Sequence, residues 1–373
     1  MSLYSLNPYA YKWQVAPPAT PLHFGDMDVA LDPSVMRAVQ ERLAWPLTYP
    51  PPYGASGVAQ TLADYYMSKH EVEAAASSFW LGSSCLSQSY LSLAHLLAEG
   101  DEALYFSPAF HHIPSAIAAA GARPVPVDAN TSPAILRAKL QAATTARTRL
   151  LYLVNPHNPT GRLLTREELG IIAAFAEENG LQVVSNELHS RILFDGTFTT
   201  FAALPHQSAR QALVLSGASK SHNLAGLGGS FAYSLDAELL RAVQAASLHR
   251  APEATSLQQA GLQAAYACDS PWLLATRERL REARDWTCRT LEEQLPRAAF
   301  ARPDGTYFLW IDMAAYVGSA SAADVIRQRC RVLVGDGAAF GASRAHVRLS
   351  LGLEVEELEG ALQRMVRGLR ETA

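Results

Sequence analysis

Residues 149–185 read "RLLYLVNPHNPTGRLLTREELGIIAAFAEENGLQVVS" and carry the fold in miniature. The first six, 149–154, and the last five, 181–185, are short and rich in aliphatic and β-branched side chains, as strands buried on both faces are. Between them Thr165 and Glu168 stand at capping-box spacing. Leu169, Ile172 and Ala176 share one helical face, and Gly180 suits a helix stop. Strand, helix and strand in this order predict a βαβ unit and hence a parallel sheet. The run "ALVLS" (212–216) reads as a further strand, whereas the link 187–211 is less helical and predicts no continuous helix.

Towards the C-terminus, Ser270-Pro271 offers an N-cap with proline at the first helical position. The run "WLLATRERLREARDWTCRTLEEQL" that follows predicts one long helix, with Arg and Glu interleaved outside, able to bridge two domains. After it, "GTYFLWIDM", "VLVGDG" and "HVRLSLGL" read as strands of a smaller α+β domain, closed by the helix "EVEELEGALQRMVRGLR". The expected division is an N-terminal segment 1–45 that joins the small domain, a large domain 46–270, and an interdomain helix with the small domain at 271–373. The proline-rich "WPLTYPPPYG" (45–54) reads as a rigid loop, and the chain shows no internal repeat.

Bulk properties narrow the function classes. The chain has 373 residues, 49% of them apolar, and a formal charge of −4 with no basic block. Nucleic acid and membrane surfaces are therefore poor partners. The start "MSLYSLNPYAYKWQVAPPATP" lacks a basic region followed by an apolar run, so no signal peptide is expected, and no window is long enough to span a bilayer. Cys85, Cys268, Cys288 and Cys330 lie far apart, which suits a reducing compartment and argues against a disulfide framework or a metal site. A soluble, cytoplasmic protein is expected.

Ligands of open parallel sheets bind outside the carboxyl ends of the strands. Those ends carry "NPHNPTG" (155–161), "NELH" (186–189) and "SGASKSHNLAGLGG" (216–229). The first is built from turn formers and, taken alone, is equally a plain loop. In the third, Lys220 follows an apolar strand and sits among Ser216, Gly217, Ala218 and Ser219. A single lysine is most often a solvated surface charge. One flanked by small groups at a strand end can approach a bound cofactor and form a Schiff base, and nearby hydroxyls and N–H groups can hold a phosphate.

Taken together, "LVNPHNPTGRLLTREEL", "VVSNELHSRILFDG" and "SGASKSHNLAGL" resemble the class I/II aminotransferase superfamily, the fold type I pyridoxal phosphate (PLP) enzymes. The sequence is most similar to the cystathionine β-lyase-like C–S lyases within it. Their "KW" and "ADMDF" elements are matched by Lys12-Trp13 and "GDMDV" (25–29), and their G-x-Y-x-x-W-x-D element imperfectly by "GTYFLWID" (305–312). The resemblance spans nearly the whole chain. It implies a large α/β domain with a mostly parallel sheet sandwiched by helices, plus a smaller α+β domain.

The resemblance also implies site roles. Lys220 would carry the cofactor and shuttle the proton, and Asn158 and His189 would bond the phenolic oxygen of PLP. Phe110 would stack on the pyridine ring, where the family usually has tyrosine. Ser84 and Cys85 would sit in the phosphate cradle at a helix N-terminus. Tyr49 would reach the phosphate of a neighbouring subunit, implying a homodimer with shared active sites. Arg348 would clamp the α-carboxylate of an amino-acid substrate, and the substrate side chain would lie near Asp26 and Tyr49. The phosphate-binding serine often found three residues before the lysine is Gly217 here, so Ser216 or Ser219 would take its place. Phe110 and Tyr49 also read as core aromatics, and Cys85 as a small buried hydrophobe. His111, His112 and His222 have no partner at metal-ligand spacing and read as structural.

Asn186 stands where the family has the aspartate that pairs with the pyridine nitrogen. A carboxylate there keeps that nitrogen protonated and the cofactor a strong electron sink; an amide supplies no charge. Amino-group transfer must hold the carbanion until it is reprotonated on the cofactor. β-Elimination drains the charge into a leaving thiolate. The leading expectation is therefore a PLP-dependent β-lyase that cleaves an S-substituted L-cysteine to a thiol, pyruvate and ammonia. The alternatives are an aminotransferase, a specialised biosynthetic enzyme that decarboxylates or oxidatively deaminates a cysteine conjugate, and a catalytically inert binding module of the same fold.

Overall fold

Two sheets share the chain between them. The structure, a computed structural model, describes residues 7–15, 18–51, 53–248, 250 and 253–370. The strands are β1 (Thr20–Leu22), β2 (Phe79–Gly82), β3 (Glu102–Ser107), β4 (Arg123–Asp128), β5 (Thr148–Val154), β6 (Gln182–Asn186), β7 (Leu213–Gly217), β8 (Ser230–Tyr233), β9 (Ala299–Phe300), β10 (Phe308–Asp312), β11 (Val332–Asp336) and β12 (His346–Ser350). The larger sheet has the order β2-β8-β7-β6-β5-β3-β4. It is parallel from β7 to β4, and β8 runs antiparallel between β2 and β7.

Continuous hydrophobicity in β5 and β6 follows from helices covering both faces. Side chains of one strand alternate between the faces. Leu151, Leu153 and Val183 pack with Leu169, Ile172 and Phe175 on one side. Leu150, Tyr152 and Val184 pack with Leu93, Ile113 and Ile117 on the other. The helix Arg166–Glu178 begins with the expected capping box: Thr165 accepts from the Glu168 N–H, and Glu168 accepts from the Thr165 N–H. Across 187–211 there is only a single 3-10 turn, Phe201–Ala203, and a short helix, Gln207–Arg210.

The smaller sheet has the order β1-β11-β12-β10-β9. The helix Pro271–Gln294 is capped by Ser270 and delivers Leu280, Cys288 and Leu291 to a core shared with Leu309, Ile311, Val347 and Leu362. Truncating such a leucine to alanine costs about 2–5 kcal/mol. The strand β1 was not foreseen. It pairs parallel with β11, Leu22 opposite Val334, and so brings the loop after it beside β12, whose Arg348 lies opposite Gly335. That pairing positions the site, because it places residues 23–25 over the end of the larger sheet.

Candidate active site

A cavity of about 520 Å³ opens where the exits of β5 and β6 and the segment after β7 meet the 23–25 loop and β12. Its walls include Lys220, Asn158, Asn186, His189, Arg348, Phe110 and Cys85. Tertiary folding thus gathers side chains spread over some 260 positions of sequence, from Cys85 to Arg348.

Lys220 follows the last residue of β7 by three positions, and its Nζ donates to the Gly25 carbonyl at 2.7 Å. The Tyr307 hydroxyl donates to the same carbonyl at 2.6 Å. An ideal Cβ on Gly25 would stand 3.0 Å from Lys220 Nζ and 3.0 Å from the Phe308 ring, so glycine lets this loop come close. Burial, and then the Arg348 charge, lower the lysine pKa to about 8. The loop is fastened from below by Asn223, which accepts from the Met27 N–H at 2.9 Å and donates to the Met27 carbonyl at 2.7 Å.

Arg348 is buried and lies over the Phe308 ring at 3.9 Å. Its Nη1 donates to Asn158 Oδ1 at 3.0 Å and its Nη2 to the His23 carbonyl at 2.9 Å, while its Nε has no partner among the described residues. Burial lowers its pKa to about 10, which leaves it charged at neutral pH. Because Asn158 Oδ1 is occupied, the amide nitrogen of Asn158 is the end available to a ligand. His189 Nδ1 is buried without a partner among the described residues, and burial followed by the Lys220 and Arg348 charges keeps the ring neutral.

Asn186 ends β6. Its Oδ1 accepts from the Leu188 N–H at 3.2 Å, and its Nδ2 donates to the Tyr152 hydroxyl at 3.2 Å, which meets Ser89 Oγ at 2.9 Å. The adjacent Glu187 turns to the other face of the sheet. There Ser185 Oγ, Thr200 Oγ1 and the Phe201 N–H donate to it at 3.0, 2.7 and 2.8 Å. Burial raises its pKa to about 7.

At the base of the cavity the helix Cys85–Leu96 begins, with Ser84 as its N-cap accepting from the Ser87 N–H at 3.1 Å. Its first amides have no helical carbonyl to bond. Burial pushes the Cys85 thiol up to about 12, so it stays protonated.

Several expected residues lie elsewhere. Ser216 Oγ donates to the Glu187 carbonyl at 3.2 Å and meets the Tyr266 hydroxyl at 3.3 Å, which turns it from the cavity. Ser84 and Ser219 are not on the cavity wall. A Cβ on Gly217 would come within 3.0 Å of the Gly229 carbonyl and 3.1 Å of Ser230 Cα, which explains why no serine stands there. Asp26 pairs with the buried Lys12 at 3.0 Å, outside the cavity wall, and Lys12 also pairs with Asp28 at 3.0 Å. Tyr49 is fully exposed. His23, Ser89, Tyr152, Phe308 and Phe340 line the cavity without having been foreseen. The one legible signal was Tyr152, a polar tip inside the apolar run 149–154.

The His189 Nδ1 without a partner among the described residues, the available amide nitrogen of Asn158, the buried low-pKa lysine and the helix N-terminus behind its Ser84 cap are the groups that a phosphorylated pyridine aldehyde would require. Comparison with known proteins agrees. Residues 18–365 match the family described as aminotransferase class I and II. The arginine–pyruvate transaminase AruH of Pseudomonas aeruginosa is 32% identical, over 92% of this chain and 88% of its own. The cystathionine β-lyase PatB of Bacillus subtilis is 31% identical, over 59% of this chain and 58% of its own. Among solved structures, that of OvoB has a TM-score of 0.92 at 24% identity and covers 99% of both chains. The aspartate aminotransferase of Thermus thermophilus with maleate has a TM-score of 0.85 at 24% identity, covering 94% of this chain and 91% of its own. The chain belongs to the aminotransferase class I and II family, has the fold type I architecture, and uses pyridoxal 5'-phosphate.

Proposed function

We propose that this family member is a carbon–sulfur β-lyase that takes an S-substituted L-cysteine and one water to a thiol, pyruvate and ammonia. The observation that carries this reading is the uncharged amide of Asn186 on the cavity wall, with the neighbouring Glu187 carboxyl turned to the opposite face of the sheet. Relatives of both kinds, a transaminase and a cystathionine β-lyase, stand at similar identity, so the choice rests on the site.

In this reading Lys220 would hold PLP, Asn158 and His189 would bond its phenolic oxygen, and Phe110 would lie against its ring. The amides of Cys85 and Leu86, behind the Ser84 cap, would hold its phosphate. Bound there, PLP would supply an electron sink for the substrate Cα. Arg348 binds the substrate carboxylate through its free Nε and one Nη, and Phe308 beneath it fixes the plane of the fork. Lys220 Nζ takes the Cα proton. Asn186, supplying no charge to the pyridine nitrogen, would favour loss of a thiolate over amino-group transfer. Phe24, Leu86, Ile113 and Phe340 offer the sulfur substituent an apolar surface. Lys220 and Arg348 are the lysine and arginine of the described wall.

The proposal includes a cytoplasmic homodimer in which the exposed Tyr49 reaches the neighbouring cavity. Among the described residues no helix is long and apolar enough to cross a membrane. The runner-up, supported by the identity to AruH, is an aminotransferase. Product analysis with PLP and a set of S-substituted L-cysteines tests the reading. Equimolar thiol, pyruvate and ammonia is the expected result. Conversion of the cofactor to its pyridoxamine form with a sulfur-containing keto acid would overturn it.

A further inference from the structure

We propose that Tyr152 and the backbone N–H of Leu188 lock the Asn186 amide so that it offers a donor to the pyridine nitrogen, and that the enzyme therefore holds this nitrogen unprotonated. The inference rests on the cofactor assignment and not on the choice between elimination and amino-group transfer.

The orientation of the amide follows from an unambiguous donor. A backbone N–H can only donate, so the atom 3.2 Å from Leu188 N must be the amide oxygen. Nδ2 is then fixed on the other side, where one of its hydrogens goes to the Tyr152 hydroxyl at 3.2 Å. Its second hydrogen remains for the cavity, which Asn186 lines. A ring nitrogen that meets an N–H can bond only as an acceptor, that is, without its own proton.

The layer beneath keeps this arrangement neutral. Tyr152 is 2% exposed and Ser89 3% exposed, and their hydroxyls meet at 2.9 Å. Burial holds the Tyr152 phenol above its ordinary pKa, so it supplies no phenolate. The neighbouring carboxyl, Glu187, is tied to Ser185, Thr200 and Phe201 on the far side of the sheet. A protonated pyridine at this wall would be a buried cation without a counter-charge. Tyr152 acts through Asn186 and is thus a positioning residue.

The test is NMR of the protein reconstituted with PLP carrying ¹⁵N in the ring. In the native protein the ring resonance is expected at the position of unprotonated pyridine throughout pH 6 to 9, and in Asn186→Asp at the protonated position at pH 7. A native resonance at the protonated position at pH 7 would overturn the inference. For Tyr152→Phe, loss of one hydrogen bond is expected to raise the apparent Kd for PLP about three- to tenfold while the nitrogen stays unprotonated; an unchanged Kd removes Tyr152 from the assignment. Product analysis on the same samples keeps the readings apart. A transaminase with an unprotonated nitrogen upholds this inference and sinks the lyase reading, and a lyase with a protonated nitrogen does the reverse.

Discussion

Arg348 Nη1 donates to Asn158 Oδ1 across 3.0 Å, joining a strand of the smaller sheet to the loop that leaves β5 of the larger one. The group proposed for the substrate carboxylate and the one proposed for the cofactor's phenolic oxygen are therefore neighbours in one hydrogen-bonded unit. Arg348→Lys keeps the charge but loses the planar fork. KM is expected to rise about 10- to 100-fold, with a smaller change in kcat and PLP retained. Asn158→Ala should weaken both cofactor and substrate binding, and the double variant should be non-additive. Additive effects would show that the hydrogen bond does not couple the sites.

Lys220, the lysine proposed to carry PLP, would capture it only as a neutral amine, and its pKa is lowered to about 8. In the cofactor-free protein the rate of PLP capture should climb about tenfold per pH unit below that value and level off above it. Stopped-flow absorbance of the cofactor reads this directly. A profile that keeps rising to pH 10 would mean that burial does not depress the lysine.

Asn186→Asp restores a carboxylate at the wall beside Tyr152. The partition between elimination and amino-group transfer is expected to shift toward transfer, measured as pyruvate against pyridoxamine phosphate formed per turnover. If the ratio does not move, the role given to Asn186 in choosing the reaction is wrong.

Glu187 is buried with hydrogen bonds but, among the described residues, no paired cation, and its pKa is raised from 4.5 to about 7. The folded state thus prefers the protonated form. That preference stabilises fully below the unfolded value and is lost as pH rises to about 7, a swing on the order of 3 kcal/mol. Glu187→Gln should flatten this dependence and raise stability at pH 8 relative to the native protein. Denaturant unfolding at pH 5 and pH 8 checks it, and equal pH slopes in both proteins would count against it.

Lys12 is 1% exposed and pairs at 3.0 Å with both Asp26 and Asp28, while Trp13 Nε1 donates to Asp28 at 3.2 Å. This clamp holds the strip of chain that presents Gly25 to Lys220. Lys12→Met leaves Asp28 buried beside a second carboxylate, and a loss of about 3 kcal/mol is expected. Burial already raises the Asp28 pKa, and loss of the lysine raises it further, so acidification should return part of the stability. A loss that does not ease at low pH would point to packing rather than charge.

The βαβ unit, its capping box and the long helix with its Ser270 cap were legible because their signals are local: spacing, caps and apolar periodicity. Lys220, Asn158, His189 and Arg348 were legible through their motifs, and folding brings them to one cavity. Strand β1 was not legible, since three residues of "TPL" carry no periodicity and gain their place only by pairing with β11. Nor was the fate of Ser216. Whether a strand residue faces the cavity or the sheet's other side depends on register, and one position decides it.

By itself, the sequence determined the parallel sheet, the lysine at a strand end and the amide where a carboxylate is usual, because each depends on residue type at short spacing. The tertiary structure alone decided what that amide touches. The Leu188 N–H and the Tyr152 hydroxyl orient Asn186, the 23–25 loop presses on Lys220 Nζ, and Glu187 is sent to the far face. Those are contacts between segments distant in the chain or on opposite faces of one strand, where hydrogen-bond direction and burial, not composition, set the chemistry.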